Sequence, residues 1–280
     1  MSGVRLWRWS LAVLILAGLG WQLAAHAPAD WSVLGTPALL PLVLAASAAT
    51  ASYIAMATAW ARLRARGESW VDVGSAWFPS LLARYVPGGV WQGAVRATEG
   101  HARGERVSDN VAAFLSEQAL ACFSAAFLAL LTLAAGPPMP GWLVTGLVAV
   151  GAGAAGASIV LARLFSYPMW PMRAIGWTLL GHVLIASAFA TYVASFVPGD
   201  AVDLVIAARA FLVAGLASVL VVFVPAGLGV REGVLAWMLA PRLGVGLALA
   251  VALLSRVGLL GCELAAWGLW TAARRRAGRT

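Results

Sequence analysis

The chain has no lysine: all 19 of its basic residues are arginine. A Walker phosphate loop, whose motif requires a Gly-Lys step, is therefore absent. We read the missing lysine as a compositional bias and not as function. Charge of either sign is scarce, at 11% of residues against about 25% in a soluble domain. Cysteine is nearly missing too. Cys122 and Cys262 both fall in apolar runs with no partner at ligand spacing, so they read as small core residues and indicate no disulfide. Three histidines are scattered at positions 26, 101 and 182, which gives no His/Cys metal cluster. No nucleophile–base pair is readable, although Glu117, Glu232 and Glu263 are candidate acids or bases. The expectation is no catalytic residue, no metal and no cofactor.

What is present is apolar. Hydrophobic residues make up 62% of the 280, and mean hydropathy is +0.88. This is the composition of an all-α polytopic membrane protein, read as a single integral-membrane domain. A spanning helix needs about 20 apolar residues. Six segments qualify: 9–27, 38–60, 108–135, 142–162, 174–197 and 245–272. Regions 70–98 and 201–241 are apolar but broken by Pro and Gly. Ala25-His26-Ala27 resembles a signal-peptidase site, but we read 9–27 as an uncleaved first helix, because its flanking charges agree with the topology.

A net charge of +8 could point to nucleic acid. The placement of the arginines argues for the membrane instead. Arg5, Arg8, Arg62, Arg64, Arg66, Arg96, Arg103, Arg106, Arg163, Arg173 and Arg274–Arg276 flank the apolar segments on one side. The opposite loops, 28–37, 136–141 and 198–203, hold no arginine. By the positive-inside rule both termini are cytoplasmic. Region 70–98 must then enter and leave from the cytoplasm, and region 201–241 from outside. Both are expected to be re-entrant helical hairpins. The order is helix, helix, hairpin, helix, twice over in opposite orientation. That makes an inverted-topology repeat of about 1–138 and 139–280. Trp7, Trp9, Trp60, Trp267 and Trp270 are assigned to an inner aromatic belt, and Trp31 and Trp142 to an outer one. The small-residue run from Gly151 to Ser158 suits close helix packing.

The two breaks are similar. One is Arg84-Tyr85-Val86-Pro87-Gly88-Gly89-Val90-Trp91, followed by Arg96; the other is Phe223-Val224-Pro225-Ala226-Gly227-Leu228-Gly229-Val230-Arg231-Glu232. Broken backbone at membrane depth is tolerated where protein buries it or where it lines a wet cavity. Glu117 with Gln118, Arg209, Arg256 and Glu263 are placed near mid-bilayer, where charge is expensive. Arg256 and Glu263 are seven apart and share a helix face. His182 is read as hydrogen-bonded structure. The charges have two readings: an ion-pair network that holds helices together, or a polar cavity for an anionic head-group. Arginine forks match phosphate, and the break before Arg231 aims helix N-terminal amides into the membrane. Re-entrant breaks alone would also suit an ion channel.

On these residues the chain resembles the transmembrane, flippase-like region of lysylphosphatidylglycerol synthases, the multiple peptide resistance factor group, and its stand-alone relatives. The resemblance rests on Tyr85-Val86-Pro87-Gly88, on Ser116-Glu117-Gln118, and most specifically on Pro225-Ala226-Gly227-Leu228-Gly229-Val230-Arg231-Glu232-Gly233. It implies lipid handling: translocation of an aminoacylated phospholipid or, in relatives, of other anionic or polyprenyl-phosphate lipids. No soluble synthase domain is expected in this chain, so a lysyl-lipid substrate does not carry over.

The expected site is therefore a head-group cavity. Arg84, Arg96, Arg209, Arg231 and Arg256 would face phosphate. Glu117, Glu232 and Glu263 would balance them or couple protons. Pro87, Gly88, Gly89, Trp91, Gln118, Pro225, Gly227 and Gly229 would shape the breaks. The expected partners are a bacterial inner membrane and a membrane lipid with a phosphate head-group, and not nucleic acid. A second copy of the chain or lipid-biosynthesis enzymes are the candidate protein partners. The alternatives are a non-transporting subunit that organises lipid or glycolipid biosynthesis, and a membrane-embedded transferase.

Overall fold

The computed structural model describes residues 34–64, 69–85, 90–165, 170–197, 203–221 and 227–277. All regular structure among them is helical. In chain order the helices are α1 (Leu39–Arg64), α2 (Trp70–Ser75), α3 (Trp77–Leu82), α4 (Trp91–His101), α5 (Val107–Leu131), α6 (Gly141–Phe165), α7 (Met172–Phe196), α8 (Leu204–Leu220), α9 (Val230–Leu243) and α10 (Val245–Ala277). Five of them, α1, α5, α6, α7 and α10, are long and apolar enough to cross a membrane. They match five of the six expected spans to within a few residues at most ends. The sixth, 9–27, with Trp7, Trp9 and Trp31, lies outside the described residues.

The two broken regions fold as short helices. The first is α2, α3, a 3-10 turn at Ala83–Tyr85, and α4; the second is α8 and α9. The breaks fall where the Pro/Gly motifs predict, after Tyr85 and after Leu220. Pro87, Gly88, Gly89 and Pro225 themselves lie outside the described residues.

Local chemistry sets the ends of the second region. Asp203 caps α8, its carboxylate accepting from the Val205 and Ile206 amides at 2.9 and 3.2 Å. Gly229, at φ 83°, starts α9, and the Glu232 carboxylate reaches back to its amide at 2.8 Å. Gly227 is required for two reasons. Its φ is +63°, and a Cβ there would lie 2.4 Å from the Ser218 side chain.

α1 and α7 run against each other at the centre. The faces are built of small residues, including Ala49 and Ser52 on α1 and Gly181 and Ala188 on α7. With no apolar contrast between lipid and side chain, such close backbone approach is what drives helix association in a membrane. Around this pair the contacts of the first half recur in the second. α1 packs on α2 as α7 packs on α8, and α3 on α4 as α8 on α9. Likewise α4 packs on α5 as α9 on α10, α2 on α10 as α8 on α5, and α1 on α10 as α7 on α5.

Two belt assignments are corrected. Trp60 and Trp270 are core residues, 0% and 4% exposed. The Trp270 indole donates to the Val71 carbonyl at 2.9 Å and its ring packs on Phe78, which pins α10 to the first broken region. Trp142 is exposed as expected, beside Trp237. The small-residue run on α6 is used only in part. Ala154 and Ser158 are buried and Gly151 meets Ala126, whereas Gly153 and Gly156 face open space.

Candidate functional site

A partly open cavity of about 500 Å³ lies where α1, α7, both broken regions, α5 and α10 converge. Of the sequence-derived site residues, Arg84, Arg96, Glu117, Gln118, Gly227, Arg231 and Arg256 line it. Glu232 and Glu263 stand just behind the wall as counter-ions. The cavity lining mixes these polar side chains with apolar ones, Phe211, Leu212 and Leu216 of α8 and Ala121 and Ala125 of α5.

The arginines differ sharply in how they are held. Arg96 is sealed, at 1% exposure. Its Nη1 pairs with Glu117 Oε2, and its Nε donates to Ser80 Oγ at 2.8 Å. Its guanidinium lies over Trp60, Phe114 and Trp77, with the Trp60 ring centre 4.3 Å away. This is a cation–π box with a carboxylate at one side. The Trp77 indole N–H donates to Glu117 Oε1 at 2.6 Å, so both oxygens of that carboxylate are engaged.

Glu232 is committed twice as well. Oε1 accepts from Arg256 Nε at 2.9 Å, while Oε2 caps the Gly229 amide. The helix N-terminus expected to receive a phosphate is thus already answered by a carboxylate of its own helix. Arg84, in the 3-10 turn, pairs with Glu263 of α10. Its side chain keeps 32% exposure while Glu263 keeps 3%. Arg256 and Glu263 do not pair with each other although they share a helix; each has a partner on a different broken region.

Arg231 is the exception. Among the described residues no carboxylate comes within ion-pair distance of it. Its Nη2 makes a long 3.4 Å contact to Ser255 Oγ, and its guanidinium sits 4.7 Å from the Phe211 ring centre. Arg84, Arg96, Arg231 and Arg256 face the cavity against the carboxylates of Glu117, Glu232 and Glu263. Among the described residues the wall therefore carries a surplus of one positive charge, and Arg231 is where it resides.

Three site residues lie apart from this wall. Arg209 is not midway along its helix, as the mid-bilayer expectation required. It is in the second turn of α8, and donates to the Thr132 and Pro137 carbonyls at 2.8 and 2.7 Å and to Thr132 Oγ1 at 2.7 Å. It ties off the end of α5 and does not line the cavity. Trp91 is 48% exposed at the start of α4, and Gly229 serves as a helix cap. His182 lines the cavity, yet its Nδ1 donates to the Thr178 carbonyl at 2.9 Å, in line with the structural reading.

Sequence reasoning did not find Trp60, Trp77, Ser80 and Phe114 around Arg96, nor Phe211 and Ser255 around Arg231. A signal existed for two of them: Trp77 and Ser80 stand three apart, which puts them on one helix face. Among the described residues no group of three metal-ligating side chains is gathered. Comparison with known proteins finds no family model that matches the chain and no match among curated proteins.

Proposed function

We propose that this chain is a lipid translocase of a bacterial inner membrane. Its substrate is an anionic phospholipid or a polyprenyl-phosphate-linked lipid. The observation that carries the reading is Arg231. It is a guanidinium on the wall of an amphipathic cavity, with no carboxylate partner among the described residues. A charge held within the membrane without a counter-ion calls for an anion, and the planar fork of arginine suits phosphate bidentately. The apolar residues of the lining suit the first methylenes of a lipid tail. The motif resemblance to the flippase-like region of lysylphosphatidylglycerol synthases points the same way.

The same proposal includes the topology: six spans, two re-entrant hairpins, both termini cytoplasmic, and an inverted repeat. Helix length supports the hairpins. α8, α9 and α4 have 17, 14 and 11 residues, or roughly 25, 21 and 16 Å at 1.5 Å per residue. A bilayer core is about 30 Å thick, so none of these arms crosses it alone. The recurrence of contacts between the halves supports the repeat.

The second reading, a non-transporting subunit for lipid biosynthesis, is favoured by the three satisfied ion pairs, which can hold helices together without any substrate. A transferase finds less support. Glu117, the one carboxylate on the wall among the described residues, has both oxygens engaged. The test is lipid scrambling in proteoliposomes, using fluorescent phosphatidylglycerol, phosphatidylcholine and a polyprenyl phosphate. We expect faster flipping of at least one anionic lipid than in empty vesicles, and loss of that acceleration in Arg231→Ala. No acceleration for any of them would leave the subunit reading.

A further inference from the structure

Of the three carboxylates behind the cationic wall, Glu263 alone is incompletely satisfied. Glu117 takes bonds on both oxygens, from Trp77 and Arg96, and Glu232 on both, from Arg256 and Gly229. Glu263 is as buried as they are, yet among the described residues its Oε1 has no hydrogen-bond partner. Its ion-pair partner among the described residues is Arg84. That arginine is also the most exposed of the three paired ones, at 32% against 1% for Arg96 and 4% for Arg256. Arg84 and Arg231 share the cavity wall, so a phosphate that reaches Arg231 is placed to draw Arg84 as well.

We propose that Glu263 is the proton-coupling residue of this site, and that anion and proton bind together. The inference rests on the head-group reading above. When Arg84 turns from Glu263 to a bound phosphate, Glu263 is left as an uncompensated buried carboxylate, which is costly. A proton from water neutralises it: one O–H bond forms on the carboxylate, and Arg84 keeps its own proton. The entering negative charge and the entering proton cancel. The other charged and titratable groups around Glu263 are accounted for. Tyr53 of α1 and His182 of α7 line the cavity, Arg231 and Glu232 come from α9, Glu117 from α5, and Arg256 and Cys262 from α10 itself. Glu117 and Glu232 are held by two donors each, so neither is freed by a movement of Arg84.

The shared ligand chemistry is a phosphate oxyanion, whether on a lipid or free. The purified protein would be titrated calorimetrically with dioctanoyl phosphatidylglycerol, whose diester keeps one charge throughout, and separately with inorganic phosphate. Runs in two buffers of different ionisation heat count the protons. For the lipid we expect uptake of about one proton per molecule bound, and affinity that weakens about tenfold per pH unit between the titration of the free site and that of the liganded one. Glu263→Gln, which mimics the neutral acid, should bind without proton uptake and without that pH slope. Glu99→Gln, at an exposed position of α4 away from the cavity, should keep both. Binding with no proton taken up by the wild type would overturn the coupling and leave the head-group reading standing. Unchanged uptake in Glu263→Gln would overturn the role of Glu263, and the wild-type count still tests the coupling if that variant does not fold. Binding of inorganic phosphate alone would mark a free-anion site with the same coupling. Binding of neither ligand would overturn both readings.

Discussion

A guanidinium buried in a membrane persists only while something answers its charge, and Arg96 and Arg231 do this in opposite ways. Arg96 has a carboxylate, a hydroxyl and three aromatic faces. Removing one partner of such a pair leaves the other charge bare, at a cost of about 3–5 kcal/mol. Arg96→Ala should therefore lower thermal stability in detergent markedly, and Glu117→Gln in the same chain should recover much of it. Arg96→Lys should recover little, because an ammonium has neither the fork nor the flat stacking face. Outside the membrane, Glu105 links the loop after α4 to Arg64 of α1. Burial alone would raise its carboxyl; hydrogen bonds from Arg64 and Asn110, with the charges of Arg64 and Arg103, outweigh this and hold it below its ordinary value. A carboxylate lowered on folding stabilises above its unfolded value and loses that contribution as pH falls through the folded one. Thermal stability should drop on acidification below about pH 4.5, and Glu105→Gln should be less stable near neutrality and flatter in that window. None of these partnerships was legible in the sequence. Spacing put Arg256 and Glu263 on one face, but tertiary packing gave each a partner on a different element. Arg209 read as mid-membrane because the cap at Asp203, which starts its helix less than two turns earlier, was not recognised.

Elements were far more legible than partners, because a span is set by local composition while a contact is not. The apolar runs located α1, α5, α6, α7 and α10, and Pro with Gly located the breaks. Two tryptophans at helix ends misled, since an end of a helix can be buried under a hairpin as easily as it can meet a head-group. Trp60 lies under Arg96, and Trp270 lies against Val71 and Phe78. The orientation of the hairpins is open to direct chemistry. Residue 100 is unsuitable for a reporter, because a Cβ on Gly100 would lie 2.3 Å from Asn110. Glu99 and Arg242 are exposed. In a chain with Cys122 and Cys262 replaced by alanine, Glu99→Cys should react with a membrane-impermeant maleimide only from the cytoplasmic side. Arg242→Cys should react only from outside. Reaction of both from one side would end the inverted repeat.

At the scale of the molecule, the two broken regions carry their paired charges exchanged. In the first, the short helix α4 carries arginine, Arg96, and the long helix α5 carries glutamate, Glu117. In the second, the short helix α9 carries Glu232 and the long helix α10 Arg256. Each pair fastens a short helix to the long helix that follows it, and its charges cancel. On the proposed function, what remains for a ligand is Arg231, flanked by half-buried Arg84 and its buried partner Glu263. A site with one uncompensated charge should make the stability of the whole protein depend on an anion, since a ligand that binds only the folded state stabilises it by about 2.7 kcal/mol at a hundred times its Kd. Thermal unfolding in a neutral detergent should shift upward by several degrees when dioctanoyl phosphatidylglycerol is added, and much less with dioctanoyl phosphatidylcholine, whose choline offsets the phosphate. Arg231→Ala should lose the shift while its unfolding temperature without lipid stays near that of the wild type, because no carboxylate among the described residues pairs with it. If Arg231→Ala instead lowered the unliganded temperature as much as Arg96→Ala, Arg231 would be holding the fold together, and the cavity would have lost its reason to bind an anion.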